Sequence, residues 1–453
     1  MRIKIKKGLD LRLAGAVDAS CKSHPVEVKT KSVAIYPDDF EGFIPKTDVK
    51  PGDKVRLGDA LFHHKLNDKI KLVSPACGVV TEILRGERRH IQRISIECNG
   101  DEKKTFSIGS LDSETEQIIQ TLCESGLFAF LRQRPFNIIP DPDKLPRDIF
   151  VTAFDSAPLA ESFKLTPDKE KSIRLGAKIL SRLSKGKVYI SQRPEAQSFV
   201  EQYLTDIDNV VNVYVNGPHP AGLVGVQIAN IAPVNKNEIV WTLSIDTMWR
   251  IGQLFETGCF NSKTNVAVVG SGVQKPFIAS TVIGAEIEPI IKDSLDKESD
   301  VKMRIISGNV LTGSTVEATE YLRFPYSQIT IIPEINQVDE FMGWASLSCS
   351  KMSVNRSFPG FFSKRSFKPD CRINGGKRAI IMSGEYDRVL PMGIMAEYLI
   401  KAVKSKNIEE MEKLGIYEIA PEDFALAEFV DSSKQPLQNI IREGLEYIRK
   451  ELQ

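Results

Sequence analysis

The sequence predicts an α/β chain of several domains, on three observations. The first 110 residues read as short strands broken by glycine turns. Residues 111–235 alternate strand, helix, strand, helix, strand, the order that builds a parallel sheet of Rossmann type. After Pro391 the apolar spacing turns helical and stays so. Between these parts lie a second strand-rich stretch, 236–335, and a strand-containing extension, 336–390, expected to return to the earlier domains. Residues 391–453 form the helical C-terminal part.

In the first part, Ser32-Val-Ala-Ile-Tyr alternates as a strand should, and Pro37-Asp-Asp-Phe opens a loop. Val49-Lys-Pro-Gly-Asp-Lys-Val-Arg-Leu-Gly-Asp-Ala-Leu-Phe places Gly52 and Gly58 at turn positions. Lys71-Leu-Val-Ser-Pro-Ala-Cys-Gly-Val-Val-Thr-Glu-Ile is a second strand–turn–strand unit, and Arg85-Gly-Glu-Arg-Arg-His is the next hairpin tip. The paired turns are similar to the barrel-sandwich motif of lipoyl and biotinyl domains. In such a carrier a lysine at the hairpin tip between the halves is acylated. Asn67-Asp-Lys69 stands between the halves here, but closer to Pro75 than a lipoyl domain has it, and no Met-Lys-Met is present.

A helix is expected from Glu114, stopped by Gly126. Ile149-Phe-Val-Thr-Ala-Phe is a buried-type strand followed by the loop Asp155-Ser-Ala-Pro. Asp168 to Leu183 is helical, with Ile173, Leu175, Ile179 and Leu183 on one side. Lys187-Val-Tyr-Ile-Ser is a strand, Pro194 to Leu204 a short helix, and Val210-Val-Asn-Val-Tyr-Val a further strand. Val266-Ala-Val-Val-Gly and Val301-Lys-Met-Arg-Ile-Ile are the clearest strands of the next part, and Ala379-Ile-Ile-Met-Ser belongs to a later strand pair. The closing helices are Met392 to Ser405, Ile408 to Leu414, Pro421 to Phe429 and Gln435 to Leu452.

Composition narrows the function. Lys plus Arg number 60 against 59 Asp plus Glu, so the basic excess of a nucleic-acid binder is missing. The N-terminus runs straight into charge with no apolar signal core. The one long uncharged stretch, Val210 to Asn235, is broken by Pro218, Pro220 and Pro233 and cannot be one membrane helix. Cys21, Cys77, Cys98, Cys123, Cys259, Cys349 and Cys371 include no close pair of the kind zinc and iron–sulfur sites use, and read as reduced thiols. His24, His63, His64, His90 and His219 form no metal motif.

Three constellations bear on a site. In Ser125-Gly-Leu-Phe-Ala-Phe-Leu-Arg-Gln-Arg-Pro-Phe, a phosphate loop's glycines are replaced by bulk, so backbone amides cannot close on a dinucleotide. Arg132 and Arg134 are candidates for holding a phosphate or carboxylate; surface ion pairing explains them as well. Asn216-Gly-Pro-His-Pro-Ala-Gly-Leu-Val-Gly follows a strand, where α/β ligand sites gather. His219, stiffened by Pro218 and Pro220, with Gly222 behind, reads as a rigid loop against a partner or a quinone ring, or as a loop packed between domains. Val266-Ala-Val-Val-Gly-Ser-Gly has part of a dinucleotide fingerprint, but Lys275 and Pro276 stand where its third glycine and helix belong. A short hairpin in a β-grasp (ubiquitin-like) domain accounts for it better.

Together the segments resemble one family, the A (alpha) subunits of the sodium-translocating NADH:quinone reductases of bacteria. The resemblance covers nearly the whole chain. It is carried by Ile3-Lys-Ile-Lys-Lys-Gly-Leu-Asp-Leu, Arg132-Gln-Arg-Pro-Phe136, Phe150-Val-Thr-Ala-Phe-Asp-Ser-Ala-Pro-Leu-Ala, Gly217-Pro-His-Pro-Ala-Gly-Leu-Val-Gly, Gly384-Glu-Tyr-Asp-Arg-Val-Leu-Pro-Met and Pro421-Glu-Asp-Phe-Ala-Leu. The family is similar in turn to the flavin-carrying subunit of respiratory complex I and to the C subunit of the Rnf complex. The flavin-binding relatives follow Ser-Gly-Leu with Gly-Arg-Gly-Gly-Ala-Gly-Phe, which this chain lacks. The Rnf relatives carry a cluster-binding segment ending in Cys-Pro-Ser-Lys-x-Pro-Leu; here Asp431-Ser-Ser-Lys-Gln-Pro-Leu stands in its place. It departs also from the Cys-Pro-Gly-Lys usual in the sodium-pump family.

The resemblance implies a peripheral subunit on the cytoplasmic face of the bacterial inner membrane, part of a translocase that moves electrons from NADH to a quinone such as ubiquinone and transports sodium. Flavins and iron–sulfur clusters are expected in partner subunits and none in this chain. The expected role is scaffolding beside the membrane-embedded B subunit, with His219, Pro220, Gly222, Arg132, Arg134 and Phe136 as candidates for quinone or partner contact, no catalytic residue and no metal. The alternatives are a lipoyl or biotinyl carrier modified on Lys69 or Lys65, a soluble NADH or flavin electron-transfer protein, and a purely structural assembly factor absent from the finished enzyme.

Overall fold

A computed structural model describes residues 1–18, 25–109, 114–161, 166–196, 204, 206–295, 301–335, 347–373 and 376–452. The barrel part holds two antiparallel sheets. One has the order β3-β9-β8-β5, from Ser32–Ile35 (β3), Ile91–Cys98 (β9), Gly78–Arg85 (β8) and Lys54–Val55 (β5). The other is β4-β6-β7, from Pro45–Thr47, Ala60–His64 and Asn67–Val73. Gly52 and Gly58 have φ near +90°, the left-handed region where glycine alone is unstrained, so both turns stand where the sequence put them. Lys69 does not cap a hairpin. The turn falls at Lys65-Leu66, and Lys69 is the third residue of β7, its Nζ 3.1 Å from Asp143.

The α/β part is built on the sheet β1-β13-β12-β11-β14-β10, from Arg2–Lys4, Val210–Asn216, Val188–Gln192, Ile149–Thr152, Val240–Ser244 and Arg132–Arg134. Only β10 runs antiparallel. Helices Glu170–Leu183 and Ile245–Thr257 pack against each other at two glycines. A Cβ on Gly252 would stand 1.6 Å from the Ser172 carbonyl oxygen, and one on Gly176 2.2 Å from that of Met248. The boundary expected at 235 is corrected here. Trp241 is fully buried in β14, which pairs with β11, so the sheet and its helix continue to 257. At the N-terminus, β1 joins this sheet and β2 (Val26–Glu27) joins the next one, while the two barrel sheets are built from β3 onward. Gly126 ends helix Thr115–Glu124 at φ +78°, as expected. Most of the helix expected over Pro194 to Leu204 lies outside the described residues; Pro194–Ala196 is a 3-10 turn.

The next sheet has the order β18-β17-β19-β15-β16-β2, with β15 Lys263–Val269, β16 Phe277–Val282, β17 Met303–Ser307, β18 Ser314–Val316 and β19 Gln328–Pro333. β15 and β16 form an antiparallel hairpin after Gly270, where the sequence predicts a short hairpin, and β15 runs parallel to β19. The extension carries no strand among its described residues. Ala379–Ser383 has no ladder partner, and Ile381 and Met382 are exposed. The extension does return to earlier parts: Phe367 exchanges backbone hydrogen bonds with Arg12 and Ala14, and Ser271 donates to the Pro369 carbonyl. The C-terminal helices are Glu385–Val389, Ala396–Lys404, Ile408–Lys413, Ala425–Val430 and Leu437–Glu451. Barrel and α/β parts share one apolar core, while the C-terminal helices make a second core with β1 and β13. Among the described residues no helix is long and apolar enough to cross a membrane.

Candidate functional site

The site grows from the loop after β13. Gly217 lies so close to the first residues that a Cβ there would stand 2.4 Å from the Ile5 carbonyl oxygen. The N-terminal segment clamps the loop: Leu9 N–H donates to the His219 carbonyl and His219 N–H to Asp10 Oδ1, both at 2.8 Å. The imidazole is 3% exposed, with Nδ1 3.1 Å from Ser156 Oγ. Ser156 Oγ also accepts the Gly222 N–H at 2.8 Å, and no Cβ would fit on Gly222 against the Ser156 backbone. Among the described residues His219 Nε2 has no hydrogen-bond partner. Burial pushes the imidazole pKa down to about 4, against the pull of Asp10, so the ring is neutral at physiological pH.

His219 lines a cavity of about 320 Å³ where four parts of the chain meet. The α/β part supplies Phe136 to Ile138, the Asp155 loop and Leu223. The second mixed sheet adds Asn309, Leu311, Thr312 and the run Pro325 to Gln328. Glu41 comes from the barrel, and helix Leu437–Glu451 contributes Gln438, Arg442, Leu445 and Arg449. Asp155 is open to the cavity yet enclosed by its walls; that burial raises its carboxyl, opposed by the N–H of Ala157. Phe136 sits at φ +81°, rare for a residue with a Cβ and concentrated at functional sites. Its ring meets Tyr417 edge-on at 5.9 Å.

The two arginines part company. Arg134 is 1% exposed and holds Glu422 at 3.0 Å and Asp423 at 3.2 Å, so it is no surface ion pair. Asp423 is buried beside Gly225, where a Cβ would stand 2.3 Å from both carboxylate oxygens. Burial raises the Asp423 carboxyl above the usual range while Arg134 pulls it down. Arg132 points elsewhere: its guanidinium donates to the carbonyls of Ala129, Leu131 and Asp39 and lies over Phe40. It has no seat at the cavity. Pro220 and Gly222 shape the loop without lining the cavity; His219 and Phe136 line it, and Arg134 reaches its wall through Glu422.

Sequence reasoning missed Ser156, Asp155, Glu422 and Asp423 as site residues, although all four lie inside motifs quoted above. After Gly126, Leu127, Phe128 and Ala129 are fully buried and Phe128 meets Trp241 edge-on at 5.5 Å, so that loop is packed into the core. Among the described residues no cluster of His, Cys, Asp and Glu could hold a metal ion.

Three family models match: the NqrA N-terminal barrel-sandwich hybrid domain over 3–99, the NqrA second alpha/beta domain over 113–260, and the NQRA C-terminal domain over 265–318. Proteins named as the A subunit of Na(+)-translocating NADH-quinone reductase are similar over the full length. Those of Neisseria meningitidis serogroup C, Photorhabdus laumondii and Haemophilus influenzae are each 35% identical, covering 99% of this chain and 100% of their own.

Proposed function

The chain belongs to the NqrA family, the A subunits of the Na(+)-translocating NADH-quinone reductases, and from that membership we propose a peripheral, cofactor-free subunit that scaffolds such a reductase and receives a quinone ring in the cavity at His219. The cavity carries this reading. Quinone sites combine apolar walls with one or two polar groups for the ring carbonyls. Phe136, Leu223, Leu311 and Tyr326 supply walls, and His219 is a neutral imidazole with an unpartnered Nε2. His219 Nδ1 lies 3.1 Å from Ser156 Oγ, and in the tautomer where the Ser156 hydroxyl donates to Nδ1 the ring proton stands on Nε2, the form that suits a carbonyl oxygen.

The scaffold is read as lipoyl-like barrel, Rossmann-like sheet, β-grasp sheet and helical platform. The cofactor-free reading rests on the aromatic residues packed after Gly126, where a dinucleotide would need open backbone. Flavins and clusters then belong to partner subunits, with the membrane-embedded B subunit the neighbour on the cytoplasmic face. The test is a reductase complex purified through a tag on this chain, carrying His219→Ala or Phe136→Ala. The expected result is a complex of unchanged composition with a raised KM for quinone and unchanged KM for NADH. Unchanged quinone KM in both variants overturns the quinone assignment; absence of reductase subunits from the wild-type pull-down overturns the placement in the complex.

A further inference from the structure

The near-zero net charge of the chain hides a strong asymmetry. Between 347 and 382 stand eight Lys or Arg and one Asp, while the rest of the chain carries 52 against 58. The one acid, Asp370, is taken by Arg372 at 2.6 Å. Arg356, Lys364, Arg365, Lys368, Lys377 and Arg378 are all exposed. Arg356 lies over Phe361, and among the described residues none of the other five has a carboxylate partner.

The same stretch is unusually apolar outside. Of the 14 exposed large hydrophobic residues among those described, five fall here: Leu347, Phe362, Ile373, Ile381 and Met382. Phe362 is 71% exposed at the end of a 3-10 turn that buries Gly360. The segment is not adrift, since Phe367 and Pro369 are bonded to the body of the protein.

Beside it opens a groove of about 660 Å³ against the C-terminal helices. Lys351, Arg372, Lys377 and Lys434 line it together with Ile373 and Phe429. Two carboxylates line it as well, but Glu428 accepts the Gln438 N–H and Glu385 the Ser432 N–H, so both are turned to internal amides.

Exposed aromatic and aliphatic side chains interleaved with lysine and arginine, among them Lys364, Arg365, Lys368, Lys377 and Arg378, match the interface of a bilayer: the apolar groups enter the headgroup layer and the cations meet phosphates. We propose that residues 347–373 and 376–382, with the groove beside them, dock the chain onto a membrane surface carrying anionic phospholipids. Neighbouring subunits would then share the work of holding the protein in place. A protein partner of the same polarity would need a matching acidic face, whereas the cytoplasmic leaflet supplies negative charge over the whole patch. This rests on the peripheral placement proposed above and extends it to direct lipid contact.

The test is flotation of the purified full-length chain with protein-free vesicles of phosphatidylcholine alone, or of phosphatidylcholine with phosphatidylglycerol. Binding is expected only with phosphatidylglycerol, weakening as salt rises. The variant Lys364→Gln, Arg365→Gln, Lys368→Gln, Lys377→Gln should lose about fivefold in partitioning per side chain, roughly a hundredfold or more together. Lys50→Gln, Lys65→Gln, Lys185→Gln, Lys292→Gln, the same change elsewhere on the surface, should stay near wild type, and Phe362→Ser should weaken binding without altering its salt dependence.

Failure of the wild type to float with the anionic vesicles at low salt overturns the proposal whatever the variants do. So does equal binding by the patch variant, or an equal loss in the control. If flotation fails while the tagged chain still brings down reductase subunits, the patch faces protein and the placement in the complex stands. If neither occurs, both readings fall.

Discussion

His219→Gln isolates the neutral, buried imidazole on which the cavity reading depends. In the unfolded chain a histidine titrates near 6.5; in the fold, burial lowers His219 to about 4. Between those values the unfolded state binds the proton and the native state does not, so stability falls as the pH falls. From pH 7 to pH 5 that linkage removes about 2 kcal/mol from the wild type. Glutamine keeps a hydrogen-bonding side chain but does not titrate, so the variant should lose about 2 kcal/mol less over the same interval. Asp423 works the other way, because its raised carboxyl makes stability grow as pH falls, but it is common to both proteins and cancels in the difference. The assay is urea unfolding at pH 7 and pH 5, followed by tryptophan fluorescence; Trp241, one of three tryptophans, is fully buried in β14 of the same sheet. Parallel losses in wild type and variant would refute the neutral imidazole, and with it His219 as an uncharged partner for a carbonyl.

Arg134→Met leaves the buried Asp423 carboxylate unpaired and should cost about 3–5 kcal/mol at pH 8. The deficit should shrink at pH 5, where Asp423 takes up a proton; urea unfolding at both pH values checks it. Gly252→Ala drives a methyl into the Ser172 carbonyl and should destabilise by about 1–3 kcal/mol, read as a lowered thermal midpoint. Lys69, an exposed strand residue paired with Asp143, should carry no acyl group, so the peptide bearing it, taken from protein of native cells, should have its unmodified mass. A lipoyl-sized or biotinyl-sized increment would bring the carrier reading back.

The barrel was readable because its turns need particular residues. Gly52 and Gly58 occupy backbone that other residues adopt only with strain, so two turns announce themselves locally. The helices were readable for a similar reason, since apolar spacing along Glu170–Leu183 is a property of that segment alone. Sheet membership is not local. β1 and β14 join the α/β sheet from either side of the span assigned to it, and nothing in Arg2-Ile-Lys says that its partner is Tyr214 to Asn216. Ile239-Val-Trp-Thr-Leu does carry a hint, a continuous apolar run of the kind parallel strands show. Ala379-Ile-Ile-Met-Ser shows the limit of that hint: an equally apolar run finds no ladder and leaves Ile381 and Met382 at the surface.

The site was legible as pieces and not as a place. His219 meets Ser156 across 63 residues and Arg134 meets Asp423 across 289, and each pair joins two motifs that the sequence offered separately. The same logic accounts for the loop at Asp431, where the family resemblance leads to an expectation of cysteine. Asp431 is buried, and its two oxygens accept the N–H groups of Ser433 at 3.0 Å and Gln435 at 2.7 Å. The loop is tied on its far side as well: Ser433 Oγ donates to the Ala379 carbonyl, and Arg378 N–H to that of Ser433. Tyr386, raised by burial and then by the nearby Asp431 charge, stays protonated against the same carboxylate. A turn rich in unpaired amides can be closed by a thiolate sulfur or by a carboxylate, because both present negative charge to converging N–H groups. Aspartate does so with stronger acceptors and no redox chemistry. The loop therefore keeps its shape, which holds Arg378 and Ala379 against the C-terminal helices, on a residue that oxidation cannot reach.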